Sequence, residues 1–446
     1  MRLVWDHYAL AMALADELQE ETAEVLSTLI RFNTVNPPGG ERACLEWLAG
    51  YLQDAGLTVE LDGPEPDRPS LVATLTSGEG PTLGYLSHVD TVLADAQDWS
   101  IDPWSGDIRD GFVYGRGAID MKSQTAAEAV AAAGLARAGA KFGGTLKVIA
   151  VADEETGGTL GAKWLTEQRP DLAHVDYLLN EGAGAVIPYG DRRLYGVCVA
   201  EKGTFRFNVR TSGVAAHASV PGLADNALLK LAPIITKLGE GRPGFDLTEA
   251  TKTLLEALGE DPADPQAALH NVRATSNQLA PLLDAAMSVT FAPTLVSAGE
   301  KINVIPARAQ VRVDCRVPPE MGEDVALRRI REVLGDDGYE LEFTEAITGN
   351  RSPVQSKLMD AIGHWVSEHD PGSEAVPTVL PAFTDSRWFR TAFPDCVAYG
   401  FFPQRHQTVH ETWPLMHAAD ERIDVRDLGF AAAFFHDLPG RLLARS

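Results

Sequence analysis

The stretch 145–158, TLKVIAVADEETGG, constrains the fold more than any other part of this sequence. Residues 145–151 are nearly all apolar and β-branched, the pattern of a strand buried on both faces. The chain then runs directly into Asp153, Glu154 and Glu155, followed by paired glycines. Like charges at the mouth of an apolar core repel one another and are costly to desolvate. Three acids in that position need a chemical reason.

The surrounding pattern supplies the architecture. Helical periodicity over 6–31 is broken by the turn-forming NTVNPPGGE (33–41), and a second helix over 42–55 ends at Gly56. Short strands follow at 57–61, 70–76 and 82–87, then a loop rich in Trp and Asp over 93–110. Helix 122–139 leads to strand 145–151, and helix 159–168 to strand 175–179. Such alternation implies a doubly wound α/β sheet with ligands bound beyond the carboxyl ends of its strands. Past residue 198 the texture changes, with a strand at 204–213, a helix at 225–238 and a weakly periodic, Pro-, Asp- and Ala-rich stretch at 239–285. Strands at 287–298 and 307–316, helix 323–334 and strand 339–345 complete a second α/β unit. The expected organisation is a catalytic domain in two parts, 1–198 and 349–446, interrupted by a smaller α/β domain over 199–348. At 446 residues, two domains are also the prior from length.

A formal charge of −25 argues against nucleic acid or an anionic membrane as partner. An anionic substrate must then be caught by a local cation. Cys44, Cys198, Cys315 and Cys396 are scattered, which fits a reduced, cytoplasmic compartment. No basic-then-apolar leader and no apolar run of membrane-spanning length is present in the sequence.

Polar clusters recur at the expected strand ends. YLSHVDTV (85–92) places His88 and Asp90 two residues apart on one face of a strand, so the acid can orient the imidazole. A structural His–Asp hydrogen bond would read the same way. GRGAIDMKS carries Asp120 just before a helix, where an N-cap is the ordinary alternative. LLNEG brings Glu181, and the stretch 405–423 holds His406, His410 and His417. Taken together, His88, Asp120, Glu154, Glu155, Glu181 and a C-terminal histidine can meet at one sheet edge. Carboxylates gathered without an evident Lys or Arg call for divalent cations, and mixed imidazole and carboxylate donors suit zinc.

These stretches resemble the M20 family of dinuclear zinc peptidases and amidohydrolases, whose members include aminoacylases, carboxypeptidase S, acetylornithine deacetylase and succinyl-diaminopimelate desuccinylase. The resemblance runs in order through FNTVNPPGGE, SHVDTV, GRGAIDMK, ADEETGG, NEG, AAHAS, FTDSR and MHAADERI. It implies that His88 and Glu181 bind one zinc ion and Glu155 and His417 the other. Asp120 would bridge the two, Asp90 would clamp the His88 ring, and Glu154 would act as general base. It implies a cis peptide bond after Asp120. It further implies that the inserted domain is a dimerisation lid, that His217 reaches into the partner's site to stabilise the oxyanion, and that Asn303 contacts substrate. Arg387 would grip the substrate carboxylate. His410 and Asp153 receive no more than a structural or hydrogen-bonding role.

The expected protein is thus a cytoplasmic, homodimeric hydrolase using two divalent ions, zinc foremost with cobalt or manganese as alternatives. Its substrate would be an N-acyl amino acid or short peptide with a free carboxylate. A biosynthetic deacylase of the desuccinylase or acetylornithine type is the second expectation, and an inactive metal-binding scaffold the third.

Overall fold

The computed structural model describes residues 2–444, and the side chains of residues 13–444. It divides into two compact units: Met1–Val199 with Ser352–Thr378 and Thr384–Ser446, and Ala200–Arg351 with Val379–Phe383.

The first unit is organised by a mixed ten-stranded sheet. At its centre Thr145–Val151, Thr82–His88, Tyr177–Asn180 and Val397–Gly400 lie side by side and parallel, while antiparallel strands flank them on both sides. The register pairs His88 with Val151 and Gly400 with Asn180, so these strands deliver their following residues to one edge. Parallel strands must be covered on both faces. The Ala-rich helix Lys122–Arg137 is buried along nearly its whole length, because small side chains let it lie close to its neighbours. The helix Val425–Leu442 contributes fully buried Phe434 and Phe435, each worth about 1.5–3 kcal/mol of transfer free energy. A separate three-stranded sheet pairs Arg422–Asp424 with Phe112–Tyr114, and Phe112–Tyr114 with Ile108–Arg109. That pairing draws the loops on either side of Asp120 and His417 together.

The second unit is an antiparallel sheet of Gly203–Thr204, Phe207–Ser212, Thr290–Ala298, Arg308–Val317 and Glu340–Phe343. Its core holds Val209, Val311 and Val313 against Leu231 and Ile234 of helix Ala227–Glu240 and Ile330 of helix Glu323–Leu334. The stretch read as weakly patterned, 239–285, is largely taken up by three short helices, Glu249–Leu258, Pro265–Thr275 and Leu279–Met287, the last running two residues beyond it. Their ends are set by local chemistry: a Thr248–Thr251 capping box, Gly259 at φ 86°, and an Asp264 cap followed by Pro265. Elsewhere, the helix expected over 159–168 begins only at Ala162. Gly161 lies so close to the chain that a Cβ there would stand 1.9 Å from the Ala152 carbonyl oxygen, which keeps residues 159–161 in the turn.

Among the described residues no helix is long and apolar enough to cross a membrane. The four cysteines are free and buried.

Candidate metal centre

Three neighbouring strands end at the site. Thr82–His88 finishes on His88, Thr145–Val151 continues into Asp153, Glu154 and Glu155, and Tyr177–Asn180 is followed by Glu181. Asp120 stands one residue before the Met121 that opens helix Lys122–Arg137, and its side chain makes no cap there. Its two oxygens instead face two imidazoles. Oδ1 lies 3.2 Å from His88 Nε2 and Oδ2 lies 3.0 Å from His417 Nε2. The Asp120–Met121 peptide is cis.

Two groups of ligand atoms result. His88, Glu154 and Glu181 form one, and Asp120, Glu155 and His417 the other, with the atoms of each group within 4.8 Å of one another. His88 Nε2 is 3.7 Å from Glu181 Oε1 and 3.9 Å from Glu154 Oε2, while His417 Nε2 is 3.6 Å from Glu155 Oε2. All six residues foreseen to converge therefore do so, and Glu154 lies within the His88–Glu181 group.

Asp90 is wholly buried and bonds to His88, Glu154, Glu155 and Asn36. Its backbone carbonyl is the closer partner of His88 Nδ1, at 3.0 Å, while carboxylate Oδ1 stands 3.5 Å away. Nδ1–H donating to that carbonyl turns Nε2 toward the site, where it meets Asp120 Oδ1 and would offer its lone pair to a cation that displaces its proton. The Asp90 carboxylate accepts from the backbone N–H groups of Glu154 and Glu155, each at 3.1 Å, and from Asn36 Nδ2 at 2.9 Å. It thereby fixes the turn that presents both glutamates.

Asp153 supports the same turn from behind. At φ 74° it sits in the left-handed region, which costs a non-glycine residue roughly 1–3 kcal/mol. Its carboxylate accepts from Thr156 Oγ1 at 2.6 Å, Thr159 Oγ1 at 3.0 Å and the Leu160 N–H at 3.0 Å, and pairs with Arg68 at 3.2 Å. Gly158, at φ 67°, completes the arrangement, because a Cβ there would meet Asp385 Oδ1 at 2.1 Å.

The electrostatics are those of carboxylates crowded out of water. Burial, then Glu181, raises Glu154 well above the ordinary carboxylate range. Burial, then Asp120, lifts Glu155 to about 7, and Glu181 is raised well above its usual value by the same two causes. Burial lifts Asp385 to about 8, and its Oδ2 has no hydrogen-bond partner. Burial would raise Asp120 too, but hydrogen bonds from His417 and His88 outweigh it and hold Asp120 below the usual range. His88 is raised despite burial by its bonds to Asp120 and Asp90, and His417 is raised chiefly by Asp120. The positive groups bearing most on the glutamates are these two imidazoles. Oxygen and imidazole donors, mutual repulsion and an orphaned carboxylate oxygen together fit a pair of divalent cations.

Arg387 lies in the first turn of helix Ser386–Ala392, its guanidinium 4.2 Å from the centre of the Trp388 ring. Asn180 Nδ2 donates to Thr384 Oγ1 and Ser386 Oγ, tying the strand before Glu181 to that turn. In the second unit His217 and Asn303 are neighbours: Ala216–His217 pairs with Val304–Ile305, and the Ala218 N–H donates to the Asn303 carbonyl at 2.9 Å. His217 is exposed, and its Nδ1 accepts from the Ser219 N–H at 3.2 Å, which leaves the proton on Nε2. His410 lies in the short helix Val409–Thr412 and belongs to neither ligand group.

Sequence reasoning missed Asn36, Arg68, Arg116, Asp385 and Glu421. Each acts through tertiary hydrogen bonds or packing, which no spacing rule reveals.

The description "Peptidase family M20/M25/M40" fits residues 84–440. A probable carboxypeptidase S-like 2 from Dictyostelium discoideum is 26% identical over 375 residues, covering 80% of this chain and 70% of that protein. A succinyl-diaminopimelate desuccinylase from Zymomonas mobilis subsp. mobilis is 33% identical over 225 residues, covering 49% of this chain and 56% of that protein. Among solved structures, an M20 family metallo-carboxypeptidase from Sulfolobus solfataricus shares the fold, with a TM-score of 0.72 at 19% identity over 95% of this chain and 99% of that one. The family match covers most of the chain and contains every ligand-type residue of the site, so this chain belongs to peptidase family M20/M25/M40 and is a hydrolase.

Proposed function

We propose that this hydrolase uses two divalent cations, zinc foremost and cobalt or manganese as alternatives, to cleave an amide bond beside a free α-carboxylate. The observation that carries the reading is Asp120, whose two oxygens face two different imidazoles between two groups of ligand atoms. His88 and Glu181 would hold one cation, Glu155 and His417 the other, with Asp120 shared. Bound there, the cations supply Lewis acidity to the scissile carbonyl and make a water acidic enough to attack at neutral pH.

The chain's own residues do the rest. Glu154 takes the proton of the attacking water and returns it to the leaving nitrogen. Burial, then Glu181, raises it above the ordinary carboxylate range, the direction that makes a carboxylate a stronger base. Arg387, over the Trp388 ring, offers a planar fork to the substrate carboxylate. His217, protonated at Nε2, donates to the developing oxyanion from the partner subunit, and Asn303 beside it contacts substrate.

The second unit would act as a lid and as the dimer interface of a homodimer. Thr290–Ala298 pairs on one side only among the described residues, and Leu295 and Val296 are 57% and 55% exposed along it. Leu229 on helix Ala227–Glu240 is 70% exposed. An open strand edge beside exposed leucines is a surface for a second copy to cover. The double variant Leu295→Lys with Val296→Lys is expected to run as a monomer in solution scattering and to lose most activity. A fully active monomer would remove the role given to His217.

A panel of N-acyl amino acids and dipeptides, each with its α-carboxylate free or amidated, tests substrate class. Arg387→Ala is expected to lower kcat/KM on free carboxylates by about 10–100-fold, the worth of a charge-assisted pair, and to leave the amidated substrates little changed. The likeness to a succinyl-diaminopimelate desuccinylase favours a biosynthetic deacylase as the second reading. Turnover confined to a dicarboxylic acyl group on a diamino acid would select it.

A further inference from the structure

Arg116 and Glu421 form a buried ion pair at 2.6 Å, with Arg116 2% and Glu421 0% exposed. A buried pair is weak evidence for stability, because desolvation of two charges offsets their attraction. What distinguishes this pair is where its remaining hydrogen bonds go.

Glu421 accepts from the backbone of the irregular loop that carries Asp120. The N–H of Ile119 reaches Oε1 at 2.6 Å and that of Asp120 itself at 3.1 Å, while the N–H of Gly117 reaches Oε2 at 3.3 Å. Arg116, on that same loop, reaches in the opposite direction. Its Nη2 donates to the His417 carbonyl at 3.1 Å and to the Leu93 carbonyl at 3.2 Å, and its guanidinium lies 5.3 Å from the Trp99 ring centre. His417 needs such a hold, since its φ of 59° lies in the left-handed region that non-glycine residues rarely adopt. The two side chains thus close a circuit between the Asp120 loop and the His417 loop. His88 and Glu181 stand outside it. His88 ends one sheet strand and bonds to Asp90, and Glu181 follows another, whose last residue, Asn180, is tied to Thr384 and Ser386.

We propose that the Arg116–Glu421 pair is a positioning device that acts unequally on the two halves of the centre: it sets both Asp120 and His417 for the cation beside Glu155, whereas the cation at His88 and Glu181 depends on it only through the shared Asp120. Ligand-orienting partners of this kind are worth about 10–100-fold in metal affinity or activity. The inference rests on the two-cation reading given under the proposed function.

The test is a cobalt titration of metal-free protein, followed by calorimetry and visible absorption, on the wild type, Glu421→Gln and Arg116→Lys. Wild type is expected to take up two ions, and failure to do so would reject the two-cation reading itself. Given two, each variant is expected to weaken one ion about 10–100-fold, the one that would touch both Asp120 and His417, and the other, which would share only Asp120, by distinctly less. Activity should return as cobalt is raised. Equal weakening of both ions, or of neither, would overturn the positioning role. Should Glu421→Gln fail to fold, Arg116→Lys, which keeps the charge and shortens the reach, decides the matter by the same criterion.

Discussion

Glu154→Gln is expected to lower kcat by about 10²–10⁴-fold, the usual worth of a positioned general base. The variant should keep both cations, because the amide preserves the shape of the side chain and His88, Asp120, Glu155, Glu181 and His417 are untouched. KM should change little, since the lost proton transfer is made only on the way to the transition state. Steady-state kinetics on the best N-acyl amino acid, with ion content measured on the same sample, checks both halves. Glu154 lies in the same group of ligand atoms as His88 and Glu181, so the opposite outcome is physically clear. Loss of an ion in Glu154→Gln would make this residue a ligand and leave the base unassigned.

The second large effect concerns the protein stripped of metal, which should be most stable in mild acid and lose stability as pH rises toward 8. In the fold, burial keeps Glu155 protonated up to about 7 and Asp385 up to about 8, against ordinary values of 4.5 and 3.8. Between those limits the folded chain binds more protons than the unfolded one, so stability falls as pH climbs through the interval. His88 and His417, raised above 6.5 in the fold, act in the same direction: their contribution is full below 6.5 and is lost as pH passes their folded values. Asp120 opposes, but only in acid, since its contribution is present above 3.8 and lost as pH falls. Bound cations reverse the balance by stabilising the ionised carboxylates and neutral imidazoles. Thermal melts from pH 5 to 8 should therefore show a midpoint that declines by several degrees without metal. With saturating zinc the decline should vanish, and ion uptake near neutral pH should release protons. Parallel curves with and without zinc would mean that the carboxylates are balanced by something other than a metal.

The parts of this site legible from sequence are those that regular structure delivers. A buried strand ends where its apolar run ends, so His88, Glu154, Glu155 and Glu181 could be placed at one edge from pattern alone. Asp120 was ambiguous for a local reason, since an acid before a helix reads as a cap until the imidazoles opposite it are seen. Asp153 and Glu421 were opaque because their carboxylates bond to backbone amides and hydroxyls contributed by the fold. Even the Asp90 carboxylate proved to hold the amides of Glu154 and Glu155 more closely than the His88 ring. The helices within 249–287 escaped periodicity because they are short, although Thr248, Gly259 and the Asp264–Pro265 pair announce their ends.

The most direct test of the central claim is anomalous scattering at the zinc edge from crystals grown with zinc. Two peaks are expected, one bounded by His88 and Glu181 and the other by Glu155 and His417, with Asp120 touching both. A single peak, or two peaks that do not share Asp120, would contradict the claim.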